Sequence, residues 1–207
     1  MQEISNNQKL ARQEYNAKNI ERLKNKDYSI IASNCTGAFI SHDLGLRFNA
    51  PTVNLFLYPD DFIKYVKNLE HYMKSKLTFI KEEGILYPIG LLDDIKIYFM
   101  HYKDEAEATQ KWNDRTKRIN LDNLFVMMSD RDGCTLENIK EFDELPLKHK
   151  VIFTNKEYPQ FKSAFYIKGF EDLGHIGDVY LFKNENSAEK YYDDFDYVSW
   201  FNSALED

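Results

Sequence analysis

Cysteine is scarce in this sequence, with only Cys35 and Cys134 among 207 residues. The two lie far apart and show no metal-type spacing, which argues against a disulfide framework and against a zinc site. No stretch approaches the roughly twenty apolar residues that cross a bilayer, and the amino terminus is polar, unlike a signal peptide. We therefore expect free thiols, no membrane span and a cytoplasmic location.

Positive charge is also in short supply. The chain carries 34 acidic and 27 basic side chains and a formal net charge of -7, so the molecule as a whole should not attract nucleic acid. No glycine-rich phosphate loop is present, because Gly169, Gly174 and Gly177 are too loosely spaced. What the chain does have is 43% apolar and 15% aromatic residues, enough to bury the core of a single domain over residues 1–207.

Apolar runs bounded by turn residues set the predicted architecture. Five of them are predicted to be strands, at residues 28–33, 52–58, 95–101, 124–129 and 151–154. Helical patterns follow most of these runs. This order predicts an α/β domain with a mostly parallel, Rossmann-like sheet of about five strands and helices on both faces.

The flanking regions are predicted separately from this core of residues 28–160. Residues 1–27 form an N-terminal helical extension whose sparse apolar stripe lies across the fold or against a protein partner. Residues 161–207 supply short strands at 164–167 and 179–182, as a hairpin or an edge extension, and a helix over 187–205. The segment from 74 to 94 suggests a short hairpin of 77–80 with 85–87.

Polar side chains leave the ends of the five predicted strands. In parallel sheets, ligands bind outside the carboxyl ends of the strands. We therefore expect Asn34, Asp61, His101 and Asp130 to lie along one edge of the sheet and to share a site. Loops are polar in any protein, so this convergence predicts a place for the site rather than a chemistry.

Cys35 has the clearest chemistry of these residues. It follows the first strand and precedes a short helix, whose amide groups and macrodipole would lower the thiol pKa or hold an anion. In a catalytic arrangement, His101 would act as its base and Asp130 would orient the imidazole. His42 lies two helical turns away and is expected to face elsewhere. A buried structural cysteine is the simpler alternative.

The acidic loop suggests a second chemistry. Asp130 and Asp132, together with Asp60 and Asp61, could bind magnesium and through it the diphosphate of a nucleotide sugar. The stretch is otherwise an ordinary turn with a self-neutralising charge pair. The remaining candidate ligand-binding side chains are Asn34, Thr36, Arg131 and Asn155.

A basic face ends the helix predicted at 104–118. Lys111, Arg115 and Arg118 recur at spacings of four and three, which gives the three cations a common direction. The face is interpreted either as a phosphate clamp or as a solvated surface that complements the helix dipole.

Several motifs carry a resemblance to a known family. They are Ser33-Asn34-Cys35, Asn49-Ala-Pro-Thr52, Leu55-Phe-Leu-Tyr-Pro-Asp-Asp61 and Asp130-Arg-Asp-Gly-Cys-Thr135. Over most of residues 28–160 the chain resembles the bacterial family of the domain of unknown function 1919. Members are usually described as exopolysaccharide or capsule biosynthesis proteins. The resemblance therefore implies a role in making a cell-surface polysaccharide, but it implies no established reaction and no catalytic residues.

Three functions remain open at this point. The favoured one is a transferase that uses a coenzyme A derivative or a nucleotide sugar to modify a polysaccharide precursor, with Cys35, His101 and Asp130 as catalytic residues. The second is a hydrolase with Cys35 as nucleophile, which would need no donor. The third is a non-catalytic partner in a polysaccharide assembly complex, contacted through the charged N-terminal helix.

Overall fold

The computed structural model describes residues 4–206, in which α-helices alternate with β-strands along most of the chain. The helices are α1 (Asn6–Arg22), α2 (Thr36–Asp43), α3 (Pro59–Lys67), α4 (Leu69–Lys74), α5 (Glu105–Thr116), α6 (Leu136–Glu144) and α7 (Tyr197–Asn202). The strands are β1 (Ser29–Ala32), β2 (Leu77–Ile80), β3 (Ile89–Leu92), β4 (Ile95–Tyr98), β5 (Leu124–Ser129), β6 (His149–Thr154) and β7 (Ala164–Tyr166).

The central sheet is parallel throughout and has the strand order β1-β5-β6-β7. Ile31 is in register with Val126 across the first pair, and Met127 with Val151 across the second. The predicted α/β class with a parallel sheet is therefore confirmed. The sheet has four strands rather than about five. Strand β7 pairs with β6 at the edge of the sheet, which agrees with the edge extension predicted for 164–167 and not with a hairpin.

Strand β4 is not part of this sheet, contrary to the prediction for 95–101. It pairs antiparallel with β3, which pairs antiparallel with β2 in a separate three-stranded sheet. The reason is local. Leu92 and Ile95 are directly paired across the Asp93-Asp94 turn, in which Asp93 has a φ of 57°. So short a connection can only join antiparallel strands. The partner of β2 is thus 89–92, not 85–87.

Residues 52–58 do not form a strand either. Their only β contact is an isolated antiparallel bridge between Phe56 and Tyr98. Asn54 has a φ of 61°, and this left-handed residue interrupts the extended conformation that the apolar run suggested. The segment instead lies beyond the end of β1, where the Leu57 N–H donates to the Ser33 carbonyl oxygen at 2.9 Å.

The carboxyl-terminal predictions were wrong in detail. Residues 179–182 make a single bridge, between Phe182 and Lys190, instead of a strand hairpin. The helix predicted over 187–205 is divided, because Asp196 caps a new helix by accepting a hydrogen bond from the Ser199 N–H at 3.2 Å. Aspartate favours such a cap over a helix interior, so α7 begins only after it.

Both faces of the parallel sheet are buried, as its continuous apolar strands predicted. On one face, Val126 and Met128 pack in a cluster that includes residues of α3, α5, α6 and the antiparallel sheet. On the other face, Phe125 and Met127 pack with residues of α2 and α7. The sheet therefore lies between two apolar layers, which leaves its strand ends as the place for polar chemistry.

Helix α1 packs against the fold through its polar side. Gln8, Arg12 and Asn19 are buried, whereas the apolar side chain of Leu10 is 59% exposed. The Gln8 amide donates to the carbonyl oxygens of Asn184 and Ser187, so hydrogen bonds tie α1 to the carboxyl-terminal segment. Within residues 4–206, no helix is long and apolar enough to cross a membrane.

Candidate functional site

The carboxyl edge of the parallel sheet brings the ends of β1 and β5 together. The Asn34 amide nitrogen donates to the Ser129 hydroxyl at 3.2 Å. The Asn34 side-chain oxygen accepts from the Thr36 N–H at 3.0 Å and from the Thr36 hydroxyl at 2.7 Å. Asn34 and Thr36 therefore shape the turn that leads into α2, at the edge where they were predicted.

Asp130 lies at the same edge but is turned towards the backbone. It is 6% exposed, and its two carboxylate oxygens accept hydrogen bonds from the Asn155 N–H at 2.9 Å and the Ile176 N–H at 2.6 Å. Burial raises the pKa of Asp130, while these two amides oppose the rise. These contacts make Asp130 a clamp that holds the loop around Ile176 to the sheet.

Arg131, in the turn that follows Asp130, forms ion pairs with two carboxylates. Arg131 donates to the Asp178 carboxylate at 2.9 Å, and its Nε lies 3.5 Å from the carboxylate of Asp132. Asp132 has a φ of 58°, which suits a tight turn. Arg131 therefore stays at the sheet edge, close enough to Cys35 to favour a charged thiolate there.

Neither Asp61 nor His101 directly follows a strand of the parallel sheet, which was the reason for predicting them at this edge. The Asp61 carboxylate accepts from the Lys96 N–H of β4 at 3.1 Å. His101 is exposed, and its backbone N–H donates to the Asn54 carbonyl oxygen at 3.4 Å. His101 thus lies beside the segment around Leu55 that contacts Cys35. Among residues 4–206, the His101 side chain makes no hydrogen bond to the Cys35 thiol.

The four carboxylates considered for magnesium all contact other protein groups, and Asp132 lies 3.5 Å from the Nε of Arg131. Asp60 accepts a hydrogen bond from the Asn138 amide of α6 at 2.6 Å, while Asp61 and Asp130 accept from backbone N–H groups. Across residues 4–206, no group of three or more His, Cys, Asp or Glu side chains is placed to hold a metal ion. The four carboxylates therefore do not converge on one cation.

A pocket of about 430 Å³ lies along α2, and we call it the α2 pocket. It is lined by Cys35, Ala38, Phe39, His42, Asp43, Phe48, Asn54 and Lys190. Cys35, Ala38, Phe39 and His42 recur at three- and four-residue spacing, so they share one face of the helix. The expectation that His42 faces away from Cys35 is therefore wrong.

Cys35 forms the first end of the pocket. It occupies the residue before α2, and its thiol lies 3.8 Å from the Leu55 carbonyl oxygen. Burial raises the pKa of Cys35, although backbone hydrogen bonds from the covering segment and the charge of Arg131 oppose the rise. The expected lowering by the helix terminus is thus outweighed by loss of solvent.

A buried charge cluster forms the other end of the pocket. One oxygen of Asp43 accepts from Arg12 at 2.6 Å, from Lys190 at 2.8 Å and from the Tyr192 hydroxyl. Burial alone would raise the pKa of Asp43, but Lys190, Tyr192 and Arg12 together lower it to about 2. Asp43 therefore stays ionised and fixes the Lys190 ammonium group at the pocket.

Arg115 of α5 and Arg118, which lies two residues beyond the end of that helix, support the pocket from outside. Arg115 donates to the Tyr102 hydroxyl at 2.6 Å and lies 5.6 Å from the centre of the Phe48 ring. Arg118 donates to the Phe48 carbonyl oxygen at 3.3 Å. The two arginines thus hold Phe48 in the pocket wall instead of forming a merely solvated face.

The residues that the sequence analysis missed differ in how far they could have been found. His42 carried a usable signal, because seven residues make about two helical turns and return to the same face. Phe48 and Lys190 carried none, since neither follows a predicted strand. Lys190 reaches the pocket through the fold of the carboxyl-terminal segment.

The two cysteines are expected to differ in reactivity. Burial, Asp130 and Asp60 raise the pKa of Cys134 to about 12, and Cys35 has the nearby charge of Arg131 in its favour. Since the thiolate is the reactive form, Cys35 should be alkylated faster by iodoacetamide at mildly alkaline pH. Mass spectrometry of the two peptides, with Cys134→Ser and Cys35→Ser as matched controls, measures both rates. Equal rates on the folded protein would contradict this expectation.

Comparison with known proteins places the chain in a family. The model of a family described as "Domain of unknown function (DUF1919)" matches residues 6–202. The chain is also 54% identical to an uncharacterized protein of Haemophilus influenzae over 183 residues, which is 88% of each chain. The chain therefore belongs to the family of the domain of unknown function 1919.

Proposed function

We propose that this protein is a transferase that modifies a precursor of a bacterial cell-surface polysaccharide, with the α2 pocket as its donor site. The observation that carries the proposal is the pocket itself. It opens next to the carboxyl edge of the parallel sheet and combines a thiol, an imidazole and an ammonium group in about 430 Å³. That volume is typical of small-molecule sites. The polysaccharide role is the part that the family resemblance contributes.

The proposed reaction is acyl transfer through Cys35. The Cys35 sulfur forms a bond to the acyl carbon of a coenzyme A thioester, the bond from that carbon to the donor sulfur breaks, and the Cys35 proton passes to the leaving thiolate. A hydroxyl oxygen of the acceptor then forms a bond to the acyl carbon, the bond from that carbon to the Cys35 sulfur breaks, and the hydroxyl proton passes to the released Cys35 thiolate. Because burial raises the thiol pKa, the rate should increase with pH.

Donor binding is tested by melting temperature. A donor at about a hundred times its dissociation constant adds about 2.7 kcal/mol, which raises the melting temperature of a chain of this size by roughly 5–10 °C. We expect such a shift with coenzyme A derivatives. A shift with nucleotide sugars alone would indicate glycosyl transfer instead of acyl transfer.

The role of Cys35 is tested by substitution. Cys35→Ser should reduce transfer about a thousandfold or more, while Cys134→Ser leaves it unchanged. Turnover of a thioester without an acceptor would support the hydrolase alternative. Absence of any donor binding and of any turnover would support a non-catalytic partner and overturn the proposal.

A further inference from the structure

We propose that the α2 pocket binds an elongated anionic ligand, with its acidic group at Lys190 and an aromatic or apolar section along Phe39 and Phe48. The inference rests on the proposed function because it concerns the same pocket, but its test needs no group transfer. It names the chemistry of the ligand, which neither the thiol nor the family does.

The shape of the pocket sets the length of the ligand. Cys35 and Lys190 lie at opposite ends, because Lys190 contacts Asp43 at the last residue of α2 and Cys35 precedes its first residue. The helix rises about 1.5 Å per residue, so the two ends are separated by about 10–12 Å along its axis. A ligand that reaches from Lys190 to the thiol needs that length.

Lys190 supplies the charge that would recognise an anion. Its side chain is 13% exposed, and its ammonium nitrogen lies 2.8 Å from Asp43 and 3.1 Å from the Tyr192 hydroxyl. An ammonium group has three N–H donors. Two are directed at these protein oxygens, which leaves one for a ligand in the pocket that Lys190 lines.

The charges around Lys190 define what it can accept. Asp43 also binds Arg12, and Arg12 binds Asp193 at 2.5 Å, so the two buried acids and two buried bases balance. His42 lines the same end of the pocket and lies 3.6 Å from Asp43. An acidic group at Lys190 therefore lies beside the His42 ring, whose N–H is a second hydrogen-bond donor available to the ligand.

The middle of the pocket is apolar and held in place from behind. The ring of Phe39 stacks on Tyr180 with a centroid distance of 4.7 Å. Phe48 is held by the guanidinium group of Arg115, 5.6 Å from its ring centre. Because both rings are supported by residues outside the pocket, the walls are preformed for a flat section of ligand.

The test measures the affinity of two probes, naphthalene sulfonate and uncharged naphthalene methanol, by calorimetry at low and moderate salt. Wild-type protein should prefer the sulfonate by tenfold or more. Lys190→Met should weaken sulfonate binding by tenfold or more, because it removes a hydrogen bond from a charged group. Lys183→Met is the matched control, since Lys183 pairs with Glu189 and Asp194 in the same segment and does not line the pocket.

Ala38→Leu fills the pocket and locates the binding, so it should weaken both probes without removing the charge preference. This variant and the wild-type comparison decide the question even if Lys190→Met does not fold. The inference is overturned if wild type binds both probes equally or neither, if folded Lys190→Met keeps the sulfonate affinity, or if Ala38→Leu changes nothing. If the sulfonate binds at Lys190 but no assay detects acyl or glycosyl transfer, the anionic ligand site is supported and only the transferase function is refuted.

Discussion

Replacing Arg12 by alanine is expected to lower the free energy of unfolding by about 3–5 kcal/mol, because it removes one partner from a buried ion cluster. Arg12 is 6% exposed and bridges the carboxylates of Asp43 and Asp193 at 2.6 and 2.5 Å. Without it, Asp43 keeps Lys190 as its buried cationic partner and Asp193 loses its ion pair. Urea unfolding followed by circular dichroism measures the loss.

Arg22→Ala is the matched control in the same helix. Arg22 pairs with Asp196 at 2.6 Å, but the two side chains are 49% and 53% exposed. An exposed ion pair contributes about 0–1 kcal/mol, so this variant should remain close to wild type. Equal losses in the two variants would show that the buried cluster contributes no more than a surface pair.

Asp43 of the same cluster predicts an acid limit, while burial raises the pKa of Asp193 and acts in the opposite direction. The folded-state pKa of Asp43, about 2, lies below its ordinary value of 3.8. A lowered carboxyl pKa stabilises the fold above the ordinary value, and that stability is lost as pH falls towards the folded value. At about 1.4 kcal/mol per pKa unit, the contribution is about 2 kcal/mol. It should be smaller in Arg12→Ala, which removes one cause of the lowering.

Asp130→Ala should cost about 3–5 kcal/mol, because it removes both acceptors from two backbone N–H groups and each such bond to a charged group contributes about 1.5–3 kcal/mol. Those groups are the amides of Asn155 and Ile176, and the carboxylate that binds them is 6% exposed. The expected result is a large loss of stability measured by urea unfolding.

Asp132→Asn is the control in the same turn. Asp132 has a φ of 58°, a conformation that asparagine also tolerates, so the change should be close to neutral. If Asp130→Ala stayed as stable as wild type but lost transfer activity, the clamp would be the wrong explanation. That result would support the catalytic role of Asp130 that was predicted from its position after a strand.

The parallel sheet could be predicted from sequence because its strands carry their own signal. Ile30, Ile31 and Ala32 form a continuous apolar run before small polar residues, and a strand buried on both faces needs that pattern. The same pattern misled at 52–58 and 95–101. Apolar content predicts that a segment is buried, but it does not predict which strand the segment pairs with. The left-handed conformation of Asn54 and the turn at Asp93 determined the pairing of these two segments.

The candidate site was likewise predictable in part. Asn34 and Asp130 reach the sheet edge because each lies within two residues of the end of a strand of the parallel sheet, and this could be predicted. That Asp130 binds backbone amides could not, since Ile176 comes from a loop far along the chain.

The sequence by itself determined the α/β class, the apolar strands and the position of Cys35 before a helix, because these follow from residues next to one another. Only the tertiary structure decided that Cys35 shares a pocket with Lys190 and that Arg12 faces inwards from a polar helix. The physical reason is that a charge is buried or exposed according to the partners that distant segments bring to it. Those partners are set by packing, which no local pattern contains.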